Sequence, residues 1–314
     1  ECNYTIEYEL ISEKGIIEYS NKKDVIIQSG ETENVELLGR TKGFGFYSII
    51  VNITNTVNQE TKRYTADFSV ANVPANGEKN NYIGICNHFT MGNEENLFGP
   101  KTKLFADAGF CGFRDSILWY SFEKVPGVYE ESNVYKKADS AMKENGMHRF
   151  INLTLGNKAI TPECPPRSEY AVKKFADYSY NLALTTKGLA VGFELWNEWN
   201  VEGFNPDNAT MSDYVNLLKA VYPAVKKGNP DALVYGLGGY LLMRDYLYLK
   251  DIEEFFKLGG GEFCDGFSIH PYAWDATDAT HRVDLLIDLI KKYGYEDKPI
   301  VVSECGWSTV SIPD

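Results

Sequence analysis

The sequence predicts an α/β protein in which a (β/α)8 TIM-type barrel follows a small N-terminal β-sandwich. Three observations carry this prediction. The first 75 residues contain strand patterns and almost no helical ones, whereas from about residue 80 strand-like and helix-like segments alternate. The third observation is size, because 314 residues exceed the usual single domain and 44% hydrophobic residues allow a sizeable core.

The N-terminal strands are read from alternating polar and apolar residues. Residues 4–10 and 46–53 alternate clearly, and 25–28 and 35–38 are shorter runs separated by polar clusters. Short strands at roughly ten-residue spacing are typical of a β-sandwich. We therefore expect residues 1–75 to form an immunoglobulin-like ancillary domain.

The predicted domain boundary lies in the segment from Ala71 to Gly77. Pro74 and Gly77 end the last strand of the first region, and the segment carries no strand or helix pattern. Residues 76–314 are then expected to form a (β/α)8-type catalytic domain.

Seven strands are predicted in this second region, each with room for a helix behind it. They are expected to begin near residues 82, 111, 149, 191, 233, 266 and 299. The helix after the fourth strand has Ser212 as a plausible N-cap and ends at Gly228 and Pro230, and the last helix ends at Gly294. No glycine-rich phosphate fingerprint follows the first strand, which favours a barrel over a doubly wound sheet.

The eighth βα unit of a barrel is not found in the sequence. The chain ends at Asp314, shortly after the seventh strand, and a barrel needs an eighth strand to pair its open edges. We expect a fragment that lacks a C-terminal segment after strand seven. The alternatives are that the missing unit comes from elsewhere, for example by self-association at the open barrel edge, or that the strand count is wrong.

Charge and hydropathy exclude several classes of partner. The chain has 31 Lys and Arg against 44 Asp and Glu, a net charge of −13, and no segregated basic patch, so nucleic acid is not expected to bind. No apolar run approaches the roughly 18 residues that span a membrane. Patterns for a zinc metalloprotease, a serine hydrolase and a P-loop are absent.

The six cysteines show no CxxC spacing, which argues against a zinc or thioredoxin-like site. Four of them lie in or beside apolar runs and are expected to be buried free thiols: Cys86, Cys111, Cys264 and Cys305. Cys2 and Cys164 are freer to pair, and the sequence leaves their state open.

Two glutamates follow buried strands and are the candidate catalytic pair. Glu198 comes after the fourth strand and Glu304 after the seventh. Reactive groups of such barrels gather at the carboxyl ends of the strands, and these two strands lie nearly opposite each other in a closed barrel. Two facing carboxylates are the usual means of cleaving a glycosidic bond.

At these positions the sequence resembles a known group of enzymes. Trp196-Asn197-Glu198, with residues 303–307 (Ser-Glu-Cys-Gly-Trp), is similar to glycoside hydrolase clan A and closest to family 39. Residues 213–234 and 265–272 also resemble this family. The resemblance implies that Glu198 is the general acid/base and Glu304 the nucleophile of a retaining enzyme, and it implies no metal or organic cofactor. The sequence departs from the pattern in lacking the eighth strand and in having Trp199 where a Pro often follows the acid/base.

The resemblance also implies roles for neighbouring side chains. Asn197 is expected to hydrogen-bond the sugar 2-hydroxyl, Arg114 to lie near the nucleophile, Tyr272 to donate to the nucleophile, and His270 to line the floor of the site. Ordinary packing remains the alternative for the aromatic candidates for sugar subsites, which are His88, Trp119, Trp199, Trp274 and Trp307. Glu194, within strand four, is expected to form a structural ion pair.

These observations favour a retaining glycoside hydrolase that acts on a polysaccharide or oligosaccharide and is secreted or held at a microbial cell surface. The alternative from another class is a non-catalytic glycan-binding protein on a hydrolase-like barrel. Sugar and linkage specificity are not predicted.

Overall fold

The computed structural model describes residues 2–71, 81–88, 97–243 and 246–307. The chain separates into two compact units, Glu1–Gly77 and Glu78–Asp314. Most of the predicted linker lies outside the described residues, so the exact boundary remains a prediction.

The first unit is one antiparallel sheet in the order β2-β1-β3-β4. Its strands are β1 (Cys2–Ser12), β2 (Ile17–Ile27), β3 (Gly45–Asn55) and β4 (Thr61–Val70). The antiparallel character agrees with the sequence. The second sheet expected of a sandwich is not found among the described residues.

A loop accounts for this difference by lying against one face of the sheet. Alternation along β1 puts Ile6, Tyr8 and Leu10 on one face, where all three are buried. The loop contacts that face, since the Tyr8 hydroxyl donates to the carbonyl of Leu38 at 2.7 Å and a Cβ on Gly39 would lie 2.6 Å from Leu10 Cδ1. The apolar run 35–38, predicted as a strand, belongs to this loop.

The second unit contains a parallel sheet of seven strands in sequential order, curled into a half-barrel with helices around it. This confirms the predicted α/β barrel class. The strands are β5 (Ile85–Cys86), β6 (Gly112–Ser116), β7 (His148–Leu153), β8 (Ala190–Leu195), β9 (Leu233–Leu241), β10 (Gly266–His270) and β11 (Ile300–Val302). Each begins within three residues of its predicted start.

The helices are α1 (Phe98–Asp107), α2 (Trp119–Phe122), α3 (Asn133–Glu144), α4 (Glu169–Thr185), α5 (Met211–Gly228), α6 (Tyr248–Lys257) and α7 (Ala276–Lys292). The cap of α5 is Thr210 rather than Ser212. The Thr210 hydroxyl accepts from the Asp213 backbone N–H at 3.2 Å, and the Asp213 carboxylate accepts from the Thr210 N–H at 2.7 Å. This reciprocal capping box satisfies two helix-end donors. In the described part of the chain, no helix is long and apolar enough to cross a membrane.

Two short strands, β5 and β11, lie at the edges of the sheet and determine the exposure of nearby thiols. All six cysteines are free, and Cys264 is buried as expected. Cys86 and Cys305 are exposed, contrary to the prediction. The reason is their position, because Cys86 ends edge strand β5 and Cys305 follows edge strand β11, where no further described strand covers them.

A buried charge cluster joins α3 to β7. Arg149 is fully buried and forms an ion pair with Asp139, and Glu131 lies beside Asp139. Burial, together with the negative charge of Asp139, raises the pKa of Glu131 to about 7. The protonated form of Glu131 is therefore favoured in the folded protein below about pH 7.

Replacing Glu131 by Gln is expected to raise the free energy of unfolding at pH 8 by about 1–2 kcal/mol. The raised pKa means that Glu131 contributes stability below its unfolded pKa, and that this contribution is lost as pH rises through about 7. The amide mimics the protonated acid and keeps the contribution at high pH. Urea unfolding at pH 4.5 and 8 measures the effect, which should vanish at the lower pH. Exposed Glu130→Gln is the matched control, and an equal gain in both variants would contradict the argument.

Candidate active site

A buried arginine organises the polar side chains at the carboxyl ends of the strands. Arg114 on β6 donates from Nε and Nη2 to Glu194 Oε2 at 2.8 and 2.5 Å. Its Nη1 donates to Glu304 Oε1 at 2.6 Å, and its Nη2 also donates to Asn197 Oδ1 at 2.9 Å. One guanidinium thus holds Glu194 on β8 together with Asn197 and Glu304, which follow β8 and β11.

Glu194 is the fully buried partner of this arginine, as expected of a structural ion pair. Its carboxylate also accepts from Asn152 Nδ2 at 2.8 Å and from the Ser303 hydroxyl at 2.6 Å. Burial alone would oppose ionisation, but the charges of Arg114 and His270 and the serine hydroxyls outweigh it and lower the pKa of Glu194. Glu194 is therefore an anion that holds Arg114 in place.

The backbone after β8 turns sharply and directs Glu198 into the site. Trp196 and Glu198 both have positive φ, 69° and 48°, which non-glycine residues seldom adopt and which is concentrated at functional sites. The Trp196 N–H donates to the Leu153 carbonyl and the Glu198 N–H to the Gly238 carbonyl, each at 2.8 Å. These bonds tie the turn to both neighbouring strands.

His270 lies between the two candidate carboxylates. Its Nδ1 is 2.8 Å from Glu198 Oε1, and its Nε2 is 3.6 Å from Glu304 Oε1. The ring is fully buried at the end of β10. One oxygen of Glu198, one oxygen of Glu304 and a ring nitrogen all lie within 4.8 Å of one another, so the two carboxylates converge.

Such a cluster of three groups could also hold a metal ion. The contacts of Glu304 disfavour a metal, because Arg114 already places a positive charge 2.6 Å from one oxygen. The other oxygen accepts from the Tyr272 hydroxyl at 3.0 Å. Burial and the negative charge of Glu304 raise the pKa of Tyr272, which keeps its phenol protonated as a donor.

The site requires a glycine on β9. Gly239 has a φ of +59°, and a Cβ there would lie 2.3 Å from His270 Nε2. Alanine would therefore combine left-handed strain with a clash against the ring that separates the carboxylates.

We expect Gly239→Ala to lower the free energy of unfolding by about 2–3 kcal/mol and to reduce any activity of the site, since His270 must move. The matched control is Gly188→Ala, because Gly188 has a similar φ of +86° with nothing within 4 Å of its Cβ position. Chemical unfolding of both variants measures the difference. Equal losses would show that backbone strain alone matters and that His270 adapts.

The structure brings together most of the candidates that follow a strand. Six candidate side chains are linked by hydrogen bonds and close polar contacts into one cluster: Glu198, Glu304, Asn197, Arg114, His270 and Tyr272. His88 is exposed just beyond β5, and the Asn87 N–H donates to the Arg114 carbonyl at 2.9 Å. Trp274 and Trp307 are exposed on the segments after β10 and β11.

Two predicted subsite tryptophans are instead core residues. Trp119 is fully buried, stacks on Tyr178 and donates from Nε1 to Glu123 at 2.7 Å. Trp199 is 3% exposed and packs edge-on against Tyr214. Both side chains are buried in contact with other aromatic rings, so neither can stack on a sugar in this structure.

Three contributors to the site were not predicted. Asn152 and Ser303 hydrogen-bond Glu194, and Cys86 Sγ lies 3.5 Å from Arg114 Nη1. A signal existed for Asn152 in its place next to the end of β7, at the same rim as the catalytic candidates. Its Nδ2 also donates to the Trp196 carbonyl at 2.5 Å, so Asn152 supports the turn that carries Glu198.

Comparison with solved structures identifies the same fold in known enzymes. A family 39 glycoside hydrolase from Bacteroides cellulosilyticus WH2 matches with a TM-score of 0.67 and 23% identity over 87% of this chain. This chain spans about half (53%) of the length of that protein. A glucosidase from Croceicoccus marinus matches with a TM-score of 0.51 and 12% identity, over 74% of this chain and 54% of that protein.

No protein-family model matches the chain, and no curated protein matches it in sequence. At these identities the structural matches establish a fold. The resemblance to clan A glycoside hydrolases is thus confirmed at the level of fold.

Proposed function

We propose that this protein is a retaining glycoside hydrolase in which Glu304 is the nucleophile and Glu198 the general acid/base. The observation that carries the proposal is the approach of the two carboxylates to within 4.8 Å, oxygen to oxygen, at the carboxyl ends of the strands. Retaining enzymes have carboxyl groups about 5–5.5 Å apart, whereas inverting enzymes need about 6.5–9.5 Å to admit a water.

The contacts of Glu304 suit a nucleophile. A guanidinium and a phenol each donate to one of its oxygens, which is the environment of a carboxylate that reacts as an anion. In the first step an oxygen of Glu304 bonds to the anomeric carbon while the bond from that carbon to the leaving oxygen breaks. Arg114 and Tyr272 hold the attacking group in line with this carbon.

The position of Glu198 suits proton transfer. Its carboxyl is 14% exposed and contacts the buried His270 ring, which fixes its orientation. Glu198 gives its proton to the leaving oxygen in the first step. It then takes a proton from the water that attacks the anomeric carbon and releases Glu304.

Asn197 is positioned to bind the sugar ring being cleaved. Because its Oδ1 accepts from Arg114, the amide orientation is fixed with the NH2 group as the remaining donor. A sugar 2-hydroxyl beside the nucleophile is a suitable acceptor, and hydrogen bonds to that hydroxyl strengthen in the transition state of such enzymes.

The test of this function is a panel of aryl glycosides and polysaccharides, followed by proton NMR of the first product formed. We expect hydrolysis of at least one member and a product with the anomeric configuration of the substrate. Inverted product would overturn the double-displacement mechanism. Binding of glycans without hydrolysis of any would overturn the enzymatic proposal and favour a non-catalytic glycan-binding protein.

A further inference from the structure

We propose that a cavity beside the catalytic pair, lined by Tyr246, Trp274, Asp275 and Asp278, binds a second, neutral sugar ring of the substrate. The proposal rests on the proposed function and makes it more specific. It assigns the protein to neutral oligosaccharides that extend beyond the cleaved bond.

The cavity lies next to the reacting groups along the chain. Trp274 is two residues beyond Tyr272, whose hydroxyl donates to Glu304. Both residues belong to the segment that follows β10, at the edge of the sheet that carries the two candidate carboxylates. Trp274 is 74% exposed, and a large aromatic side chain so open to water at a catalytic rim is a candidate ligand surface.

Tyr246, the other aromatic residue that lines the cavity, is held by several contacts. Tyr246 has a φ of +57°, and its hydroxyl donates to Asp278 Oδ1 at 3.2 Å. The Arg282 guanidinium lies over its ring at 5.6 Å, and the Tyr248 ring is 5.9 Å away. A tyrosine fixed on several sides loses little conformational freedom when a ligand binds.

A buried arginine completes this support. Arg282 is 2% exposed, donates to Asp278 Oδ2 at 2.7 Å and donates to the Leu242 carbonyl. Asp278 is thus held between Arg282 and Tyr246. Asp275 caps α7 by accepting from the Asp278 N–H at 2.9 Å, which fixes the second carboxylate of the cavity.

The chemistry of this lining selects the ligand. The cavity has a volume of about 650 Å³, which admits a sugar ring. An indole face suits the C–H surface of a pyranose, and carboxylates accept from its hydroxyls. Two carboxylates repel an acidic sugar, and the nearby Arg282 is already paired with one of them. A neutral ring fits, and a uronic acid does not.

The experiment compares substrates of different length. Wild type, Trp274→Ala and Trp274→Phe are assayed on the aryl monoglycoside hydrolysed best in the panel and on cellohexaose, xylohexaose and mannohexaose. We expect Trp274→Ala to raise KM for the preferred hexasaccharide roughly tenfold with kcat changed less than about twofold, and to raise KM for the monoglycoside by a much smaller factor. Trp274→Phe should recover part of the loss because it keeps a flat face. Leu184→Ala, which truncates an exposed side chain near the end of α4, should match wild type.

Calorimetric binding of the same hexasaccharides to Glu304→Gln separates this proposal from the proposed function. Weaker binding of the hexasaccharides after Trp274→Ala is added supports the proposed sugar site in the cavity, whether or not any glycoside is hydrolysed. Absence of hydrolysis would overturn only the proposed function. Unchanged binding and an unchanged KM would overturn the cavity while hydrolysis stands. Equal or tighter binding of a hexagalacturonate would overturn the assignment to neutral sugars.

Discussion

Replacing Glu304 by Gln is expected to lower kcat for glycoside hydrolysis by at least about 10⁴-fold, because the amide cannot form the covalent intermediate. The fold should persist, since the amide oxygen can still accept from Arg114 and Tyr272. The measurement is kcat on the best aryl glycoside, with circular dichroism to confirm folding. Glu202→Gln changes an exposed carboxylate four residues from Glu198 and should leave kcat within about twofold.

The roles proposed for Glu198 and Glu304 predict different responses to the leaving group. Glu198→Gln is expected to retain much of the first step on substrates with strongly activated aryl leaving groups, which need no proton, and to lose it on unactivated ones. Glu304→Gln should not carry out the first step on either class of substrate. An active Glu304→Gln, or a Glu198→Gln indifferent to the leaving group, would contradict the assigned roles.

Replacing Arg114 by Met is expected to lower the free energy of unfolding at pH 7 by about 3–5 kcal/mol. The reason is Glu194, which is fully buried and whose charge is compensated chiefly by this arginine. Urea unfolding measures the loss. As a control, Lys173→Met breaks the exposed pair between Lys173 and Asp177 and should change stability by less than about 1 kcal/mol.

The stability difference between wild type and Arg114→Met should depend on pH, and the lowered pKa of Glu194 gives the direction. A carboxyl whose folded pKa lies below its unfolded value contributes stability above the unfolded pKa, and the contribution is lost as pH falls through the folded pKa. Without Arg114, burial raises the pKa of Glu194 instead, so its charge destabilises the variant above that pKa. The gap to wild type should therefore be widest near neutral pH and narrow in acid.

The double variant Arg114→Met/Glu194→Gln tests the same argument. It removes the uncompensated charge, so we expect it to recover a substantial part of the stability lost in Arg114→Met. A double variant as unstable as the single one would show that the loss comes from packing around the guanidinium rather than from Glu194.

Local patterns in the sequence were sufficient for the barrel and for the central carboxylates. Each parallel strand is a short apolar run between helices, and its start depends mainly on nearby residues, so the predicted starts agree with β5–β11 within three residues. Glu198 and Glu304 were found because each directly follows such a strand, and parallel strands bring their carboxyl ends to one edge. The fold class and the candidate pair therefore follow from sequence alone.

Tertiary structure decided which side chains face the site and which are covered. Trp119 and Trp199 follow strands as Trp274 does, yet both are packed under rings from α4 and α5. Asn152 and Ser303 are ordinary polar residues in sequence and become contacts of Glu194 only when β7, β8 and β11 curl together.

In the N-terminal sheet, too, the sequence did not predict a long-range contact. Alternation predicted strand β1, while the cover of its buried face is the loop that contains Leu38 and Gly39 rather than a second sheet. Periodicity predicts that one face of a strand is buried, but it does not predict which segment covers that face, because the covering segment is distant in sequence. The sequence determined the barrel strands and the two glutamates that follow them, and long-range packing alone determined their neighbours.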